Sequence, residues 1–419
     1  MSLKEQQELE SQYVMGTFAR KPVEFVRGEG MTLYDDEGRA YLDFLSGIGV
    51  ACLGHCHPAV SGAIAHQAQR LIHVSNYYYI EGRGEVAKRL SDMLNDRGYT
   101  GAAPAEGEPE AWKTFFANSG AEANECAIKL ARLAARKRVE AEGGNVESAP
   151  RVIVTLKRSF HGRTLATLAA TAQPAKQEAF QPLPGGFAYA PINDLAALKA
   201  LFAEQPGQIC AVMVECVQGE SGVFPCDPGY LEAAVALAHE HGALFICDEV
   251  QCGIFRCGEH PFAFQKAGIT PDIVSMAKGI ASGFPMGACA ARASVADAFS
   301  AGDHGSTFGG SNLAIAAAKA TLETLCEADT ASHVERVGAY LRARLAELPC
   351  VAEVRGWGLM CACEFTDAVD APALVLAALE QGLVLNYTGP HTLRFLPPLI
   401  CTEAEVDELI ARLSRLLAE

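Results

Sequence analysis

Lys278 stands in the run PDIVSMAKGIASGFPMGA, Pro271 to Ala288, with small or apolar neighbours and no carboxylate within three residues on either side. An ammonium in such surroundings is disfavoured unless it is paired or loses its proton. A neutral amine in a dry site is a nucleophile towards carbonyl groups, so imine formation is the chemistry this lysine suits. Thirty residues upstream, the apolar run LFICDEV carries Asp248 and Glu249 at its end. Acids at the end of a buried strand need a cationic partner. Asp248 could face a protonated heterocycle nitrogen, or hold magnesium together with Glu249. The nucleotide version of the second reading fails, because the chain has no G-x-x-x-x-G-K-[ST] loop.

Two further stretches bear on the same chemistry. In TFFANSGAEANECAIK, residues Ser119, Gly120 and Ala121 open a helix whose free N–H groups suit a phosphate, although alone they fit an ordinary capped turn equally well. In SFHGRTLAT, the flat rings of Phe160 and His161 could stack on a heterocycle, and Arg163 suits a carboxylate; alone this fits a loop with a solvated arginine. A phosphate cradle, a stacking aromatic, an acid for a ring nitrogen and an imine-forming lysine are together the parts needed to hold pyridoxal phosphate.

These residues must be positioned by an alternating chain. TFFAN, RVIVTL, CAVMVEC, ALFICDEV and DIVSMA read as short buried strands, with helical runs such as GYLEAAVALAHEHG between them. That rhythm predicts an α/β fold with a mainly parallel sheet, whose ligands sit beyond the carboxyl ends of the strands. The opening VEFVRGEGMTLYDDEGRAYLDF predicts antiparallel strands, and Gly101–Glu110 has loop composition. Beyond about Gly310, long helices precede mixed strands and helices. The expected division is an N-terminal segment over 1–60 that contributes to a small α+β domain, a large domain over 61–315, and the rest of the small domain over 316–419.

A net charge of −16 argues against nucleic acid or an anionic membrane as partner, though not against a small anion. The N-terminus lacks the apolar core of an export signal, and the fifteen cysteines lie scattered, mostly in apolar runs. Reduced thiols in a cytoplasmic protein are the expectation. GHCHP and CGIFRCGEH have no second pair at metal-site spacing, so no metal is expected.

The chain resembles the class III pyridoxal-phosphate aminotransferases, nearest their branch acting on N2-acetylornithine. The resemblance runs in order through TFARKPVEFVRGEG, YLDFLSGIGVACLGHCHPAV, NSGAEANECAIKLAR, SFHGRTLATLAAT, VECVQGESGV, FICDEVQCG and MAKGIASGFPMGA. It implies fold type I and a homodimer with the active site at the subunit interface. It implies that Lys278 carries the cofactor and moves the proton, that Asp248 holds the ring nitrogen and that Val250 and Gln251 contact the ring and its phenolic oxygen. Ser119, Gly120 and Ala121 would take the phosphate, and Phe160, with His161, would lie against the ring. Ser306 and Thr307 would reach the neighbouring subunit's site, Thr307 on the phosphate. Arg163 would hold the α-carboxylate of an ω-amino donor and Arg394 that of glutamate or 2-oxoglutarate, with Glu220 pairing to Arg394 in one half-reaction and swinging aside in the other. The pattern is broken at Cys216, where proline is usual, at Ser311-Asn312, and around Gly82 and Arg83.

Ile48 stands where ornithine aminotransferases carry a tyrosine, and Phe18 matches an aromatic position near the pocket. An aliphatic side chain at 48 suits a donor without a free α-ammonium, so the expected substrates are N2-acetylornithine and 2-oxoglutarate. Succinylornithine, ornithine and 4-aminobutyrate are the alternatives within the class. An aminomutase would share the lysine and aspartate yet need no arginine switch. A non-catalytic sensor would need a DNA-binding domain for which the acidic chain has no room.

Overall fold

The computed structural model describes residues 2–96 and 109–418; residues 101–108 of the expected Gly101–Glu110 loop lie outside them. A seven-stranded sheet forms the centre, in the spatial order Trp112–Ala117, Gly287–Arg292, Ile273–Met276, Leu244–Asp248, Ile209–Val214, Val152–Leu156 and Phe187–Ala190. All neighbours pair in parallel except where Gly287–Arg292 runs against both of its partners. Every residue of Ile209–Val214 and of Ile273–Met276 is buried. Helices cover both faces of such a sheet, which is why these strands read as unbroken apolar runs rather than alternating ones.

The 22-residue helix Gly120–Ala141 follows the first central strand directly and packs back onto the sheet. Its buried face carries Ala123, Ala127, Ala131 and Ala135, small residues that let the helix lie close to the strands. Gly287 permits the same closeness: a Cβ there would lie 2.2 Å from the carbonyl oxygen of Ser119. The carboxyl ends of six of the seven strands therefore open on one edge.

The strands Phe25–Glu29, Thr32–Asp35 and Ala40–Asp43 form an antiparallel meander. It is extended by Leu383–Val384, with Leu383 opposite Leu42. A second antiparallel sheet orders Val351–Trp357, Met360–Phe365, Thr392–Phe395 and Asn386–Tyr387, and sets Arg394 opposite both Ala362 and Asn386. Helix Glu403–Leu416 starts with a capping box between Thr402 and Glu405 and buries Val406, Leu409, Ile410 and Leu413. Among the described residues no helix is long and apolar enough to cross a membrane.

Candidate active site

The segments that follow five of the central strands converge on one cavity of about 370 Å³. Asp248 ends its strand there, 3% exposed. Its Oδ2 lies 2.8 Å from both Asn124 Nδ2 and His161 Nδ1, and its Oδ1 accepts the Val250 N–H at 3.0 Å. Asn124 Nδ2 also donates to the His161 carbonyl at 2.7 Å, and the His161 N–H donates to Thr171 Oγ1 at 2.9 Å. Burial alone would lower the His161 pKa. The bond to Asp248 and the charges of Asp248 and Glu215 outweigh it and raise the imidazole above its ordinary value. Nδ1 therefore donates to Asp248.

Lys278 begins a short 3-10 turn with φ +48°, a left-handed conformation that a non-glycine residue adopts only where its surroundings enforce it. Burial lowers its pKa, opposed by the charges of Glu220 and Asp248 and assisted by Arg394. A dry site facing these opposed charges suits an amine that must exist without its proton for part of a cycle.

Arg394 is enclosed, its side chain 3% exposed. Nη1 donates to Glu220 Oε1 at 2.7 Å, to the Gly219 carbonyl at 3.0 Å and to Gln251 Oε1 at 3.3 Å, while Nη2 donates to Asn386 Oδ1 at 2.9 Å. Glu220 is the more exposed partner at 26%. Burial would raise its pKa, but Arg394 and Lys278 hold the carboxyl below its usual value. Arg163, by contrast, lines the cavity exposed and without an ion pair among the described residues, its guanidinium carbon 5.5 Å from the Phe160 ring centroid.

The floor fits a phosphorylated heterocycle. Gly120 and Ala121 occupy the first helical positions, whose N–H groups have no acceptor inside the helix, and Ser119 Oγ caps Glu122 N at 3.2 Å. A Cβ on Gly120 would lie 2.7 Å from Val250 Cγ1, so only glycine lets Val250 close over this point. Two buried polar atoms here, His161 Nε2 and Asn124 Oδ1, have no partner among the described residues.

The structure gathers Ser119, Gly120, Ala121, Phe160, His161, Arg163, Asp248, Val250, Gln251 and Lys278 around the cavity, with Glu220 and Arg394 at its side through Gln251. It does not bring Ser306, Thr307, Ile48 or Phe18 into the lining. Ser306 Oγ accepts from Asn118 Nδ2 at 3.1 Å, while Thr307 is exposed. Ile48 is exposed with φ +69°, and Phe18 is 74% exposed on the N-terminal segment. The magnesium alternative loses its second ligand: Glu249 turns away from Asp248 and accepts the N–H groups of Ala263 and Phe264 at 3.0 and 2.8 Å.

Sequence reasoning passed over Glu215. It follows an apolar strand just as Asp248 ends one, and that was the available signal. Its carboxylate accepts the N–H of Phe160 at 2.8 Å and of Gly219 at 3.3 Å, clipping together the two loops that carry His161 and Glu220. Burial pushes its pKa up to about 7. Asn124 gave no such signal, because a helix interior says nothing of what its side chain meets.

The family model described as aminotransferase class-III matches residues 17–417. The chain belongs to the class III aminotransferases. It is 44% identical over 414 residues to the acetylornithine aminotransferase of Caldanaerobacter subterraneus subsp. tengcongensis, covering 98% of each chain. The crystal structure of acetylornithine aminotransferase from Elizabethkingia anophelis matches with a TM-score of 0.83 at 31% identity, covering 100% of this chain and 99% of that one. An ornithine aminotransferase from Toxoplasma gondii, with partial occupancy of PLP at its active site, matches at 0.87 and 30% identity, covering 99% and 94%. This class III aminotransferase thus has the α/β architecture of fold type I.

Proposed function

We propose that the protein is a pyridoxal-phosphate-dependent acetylornithine aminotransferase, moving the terminal amino group of N2-acetyl-L-ornithine to 2-oxoglutarate. The observation that carries this reading is the contrast between two arginines at one cavity. Arg394 is covered by Glu220, while Arg163 is open. A donor with a single α-carboxylate needs one free cation, and a dicarboxylate acceptor needs two. The names of the relatives support the acylated donor.

Bound pyridoxal phosphate supplies an electron sink next to the reacting carbon. Asp248, fixed by Asn124 and His161, would hold the ring nitrogen, and the Ser119–Ala121 helix start would hold the phosphate. Arg163 holds the donor's α-carboxylate, which aims the far amine at the floor. Lys278 Nζ, disfavoured as a cation by burial, would take the proton from the donor's δ carbon and hold it at the amine. For the acceptor, Glu220 leaves Arg394, which then binds the α-carboxylate while Arg163 takes the distal one. A buried arginine left bare would be costly, so the glutamate stays within reach in the other half-reaction.

The protein acts as a homodimer in this reading, with Ser306 and Thr307 completing the site of a second copy and the domain division following 1–60 with 316–419 against 61–315. The exposed rings of Tyr77, Tyr78, Tyr79 and Phe308 support such a covered face. The test is a donor panel with 2-oxoglutarate. N2-acetylornithine should exceed ornithine and 4-aminobutyrate in kcat/KM by at least about tenfold, a difference of about 1.4 kcal/mol in the barrier. A preference for ornithine would overturn the assignment.

A further inference from the structure

The cysteines of the chain differ sharply in their company, and one pair outside the first cavity has the setting of a reactive thiol. All fifteen are free. Most are walled in by apolar side chains. Cys252 and Cys257 are fully buried, and burial holds both well above the usual thiol range. Cys126 and Cys289 instead line a second cavity of about 310 Å³, which shares no lining residue with the first and opens between the exposed side chains of Lys113, Asp297 and Ser300. Helix Gly120–Ala141 brings Cys126 down onto strand Gly287–Arg292, where Cys289 stands opposite Phe115 of the edge strand. The two thiols hydrogen-bond to each other.

A cation and an imidazole stand on the same side. Lys129, one turn beyond Cys126, donates from Nζ to His304 Nδ1 at 3.0 Å and to the Asp303 carbonyl at 2.9 Å. An ammonium can only donate, so Nδ1 accepts and the imidazole proton lies on Nε2. The same imidazole hydrogen-bonds Cys126, and its ring centroid lies 4.6 Å from that of Phe115 and 5.7 Å from that of Phe299. The bond from Cys289 lowers the Cys126 pKa most, and His304 and Lys129 lower it further against the opposing effect of burial. Cys289 moves the other way, raised first by its bond to Cys126 and then by burial. The pair thus favours a thiolate on Cys126 with the proton kept on Cys289.

Transamination gives this thiolate nothing to do. We propose that Cys126 and Cys289 form a dithiol site for small hydroperoxides, Cys126 attacking and Cys289 resolving. The Cys126 thiolate attacks the terminal oxygen of the hydroperoxide. The O–O bond breaks, and the alkoxide or hydroxide that leaves takes a proton to become an alcohol or water. Cys126 is then a sulfenic acid, and its charge no longer holds the proton on Cys289. Cys289 attacks the Cys126 sulfur, the S–O bond breaks, and the departing hydroxide takes the Cys289 proton as water. The two thiols have lost two electrons and the hydroperoxide has gained them. The bridge ties helix to strand and removes the charge that His304 faces. His304 lies two residues before Ser306, so the segment that oxidation loosens is 300–309.

The experiment treats the holoenzyme with hydrogen peroxide at pH 7 and maps its peptides without reduction. A Cys126–Cys289 linkage, two hydrogens lighter than the thiols and reversed by dithiothreitol, should form about tenfold faster than any other cysteine is modified, the advantage of a largely ionised thiol over one at its usual pKa. In Cys289→Ser, Cys126 should stop at the sulfenic acid and be captured by dimedone. In Cys126→Ser neither product should appear. Hydrogen exchange over residues 300–309 should quicken in the oxidised wild type and not in peroxide-treated Cys126→Ser. The inference is overturned by absence of the Cys126–Cys289 linkage, by a Cys126 that reacts no faster than the exposed Cys56 and Cys350, or by a bridge that leaves exchange over 300–309 unchanged. All three are read on the wild type, so a variant that fails to fold does not decide the matter.

Discussion

The floor and the mouth of the cavity treat charge in opposite ways. On the floor, Asp248 is bonded by Asn124, His161 and Val250, and Glu215 ties down Phe160 and Gly219. In the mouth, Arg163 carries charge with no ion pair among the described residues, and Glu220 is the more exposed member of its pair. The floor must hold one cofactor in one pose, so its dipoles are set in advance. The mouth must accept two substrates in turn, so its charges are left for ligands to complete. The difference between a resident group and a passing one is written into which polar atoms are already bonded.

The largest effect tests the floor. Lys278→Ala should remove the absorbance band of covalently held cofactor and cut turnover by roughly four orders of magnitude or more, as loss of a covalent and proton-transfer group does. Spectra and steady-state rates of the purified variant decide it; retention of full activity would sink the assignment. Next comes the mouth. Arg163→Ala should raise KM for acetylornithine and for 2-oxoglutarate alike, by about thirtyfold or more, the lower end of what truncating a charge-paired hydrogen bond costs. If KM for the donor stays put, the donor's carboxylate sits elsewhere and the contrast between the two arginines loses its meaning.

Glu220→Gln sharpens the contrast on a smaller scale. The amide can still accept from Arg394 Nη1 but no longer neutralises it. Half-reactions followed separately by cofactor absorbance should show the acetylornithine half slowed about tenfold relative to the glutamate half. Parallel changes in both halves would mean that Glu220 does not alternate between two positions.

How much of this was legible in the sequence follows the same division. Lys278, Asp248 and the Ser119 helix start announce themselves because each sits where an apolar strand stops, and a polar residue there is locally out of place. Glu215 obeyed that rule and was still missed, since the single acid in VECVQ looks less odd than the adjacent pair in FICDEV. The strand Gly287–Arg292 was hidden too, because GACAAR has little of the branched or aromatic content that marks a strand. It is held instead by two antiparallel neighbours and by small residues under the helix Gly120–Ala141. Ile48 and Phe18 were placed by resemblance, and the single chain leaves them outside the cavity lining.

Glu249 gives the smallest expected effect on catalysis and the cleanest control, because it sits next to Asp248 in the chain but faces the other way. Its carboxyl is fully enclosed and caps the backbone of Ala263 and Phe264. Burial lifts its pKa from the ordinary 4.5 to about 7. Between those two values the folded protein holds a proton that the unfolded chain has released, so this group's contribution to stability falls as pH rises through that window and is lost above it. Glu249→Gln removes the titration. The variant should be the less stable protein near pH 5, where the wild-type carboxyl is neutral and well bonded. By pH 8 the difference should have moved in the variant's favour by on the order of 3 kcal/mol, read from denaturant unfolding of both proteins at the two pH values. Donor kinetics are the companion measurement. An altered preference for N2-acetylornithine over ornithine in this variant would mean that floor, mouth and scaffold are coupled through the Asp248–Glu249 step, and the two neighbouring acids could no longer be assigned to separate tasks.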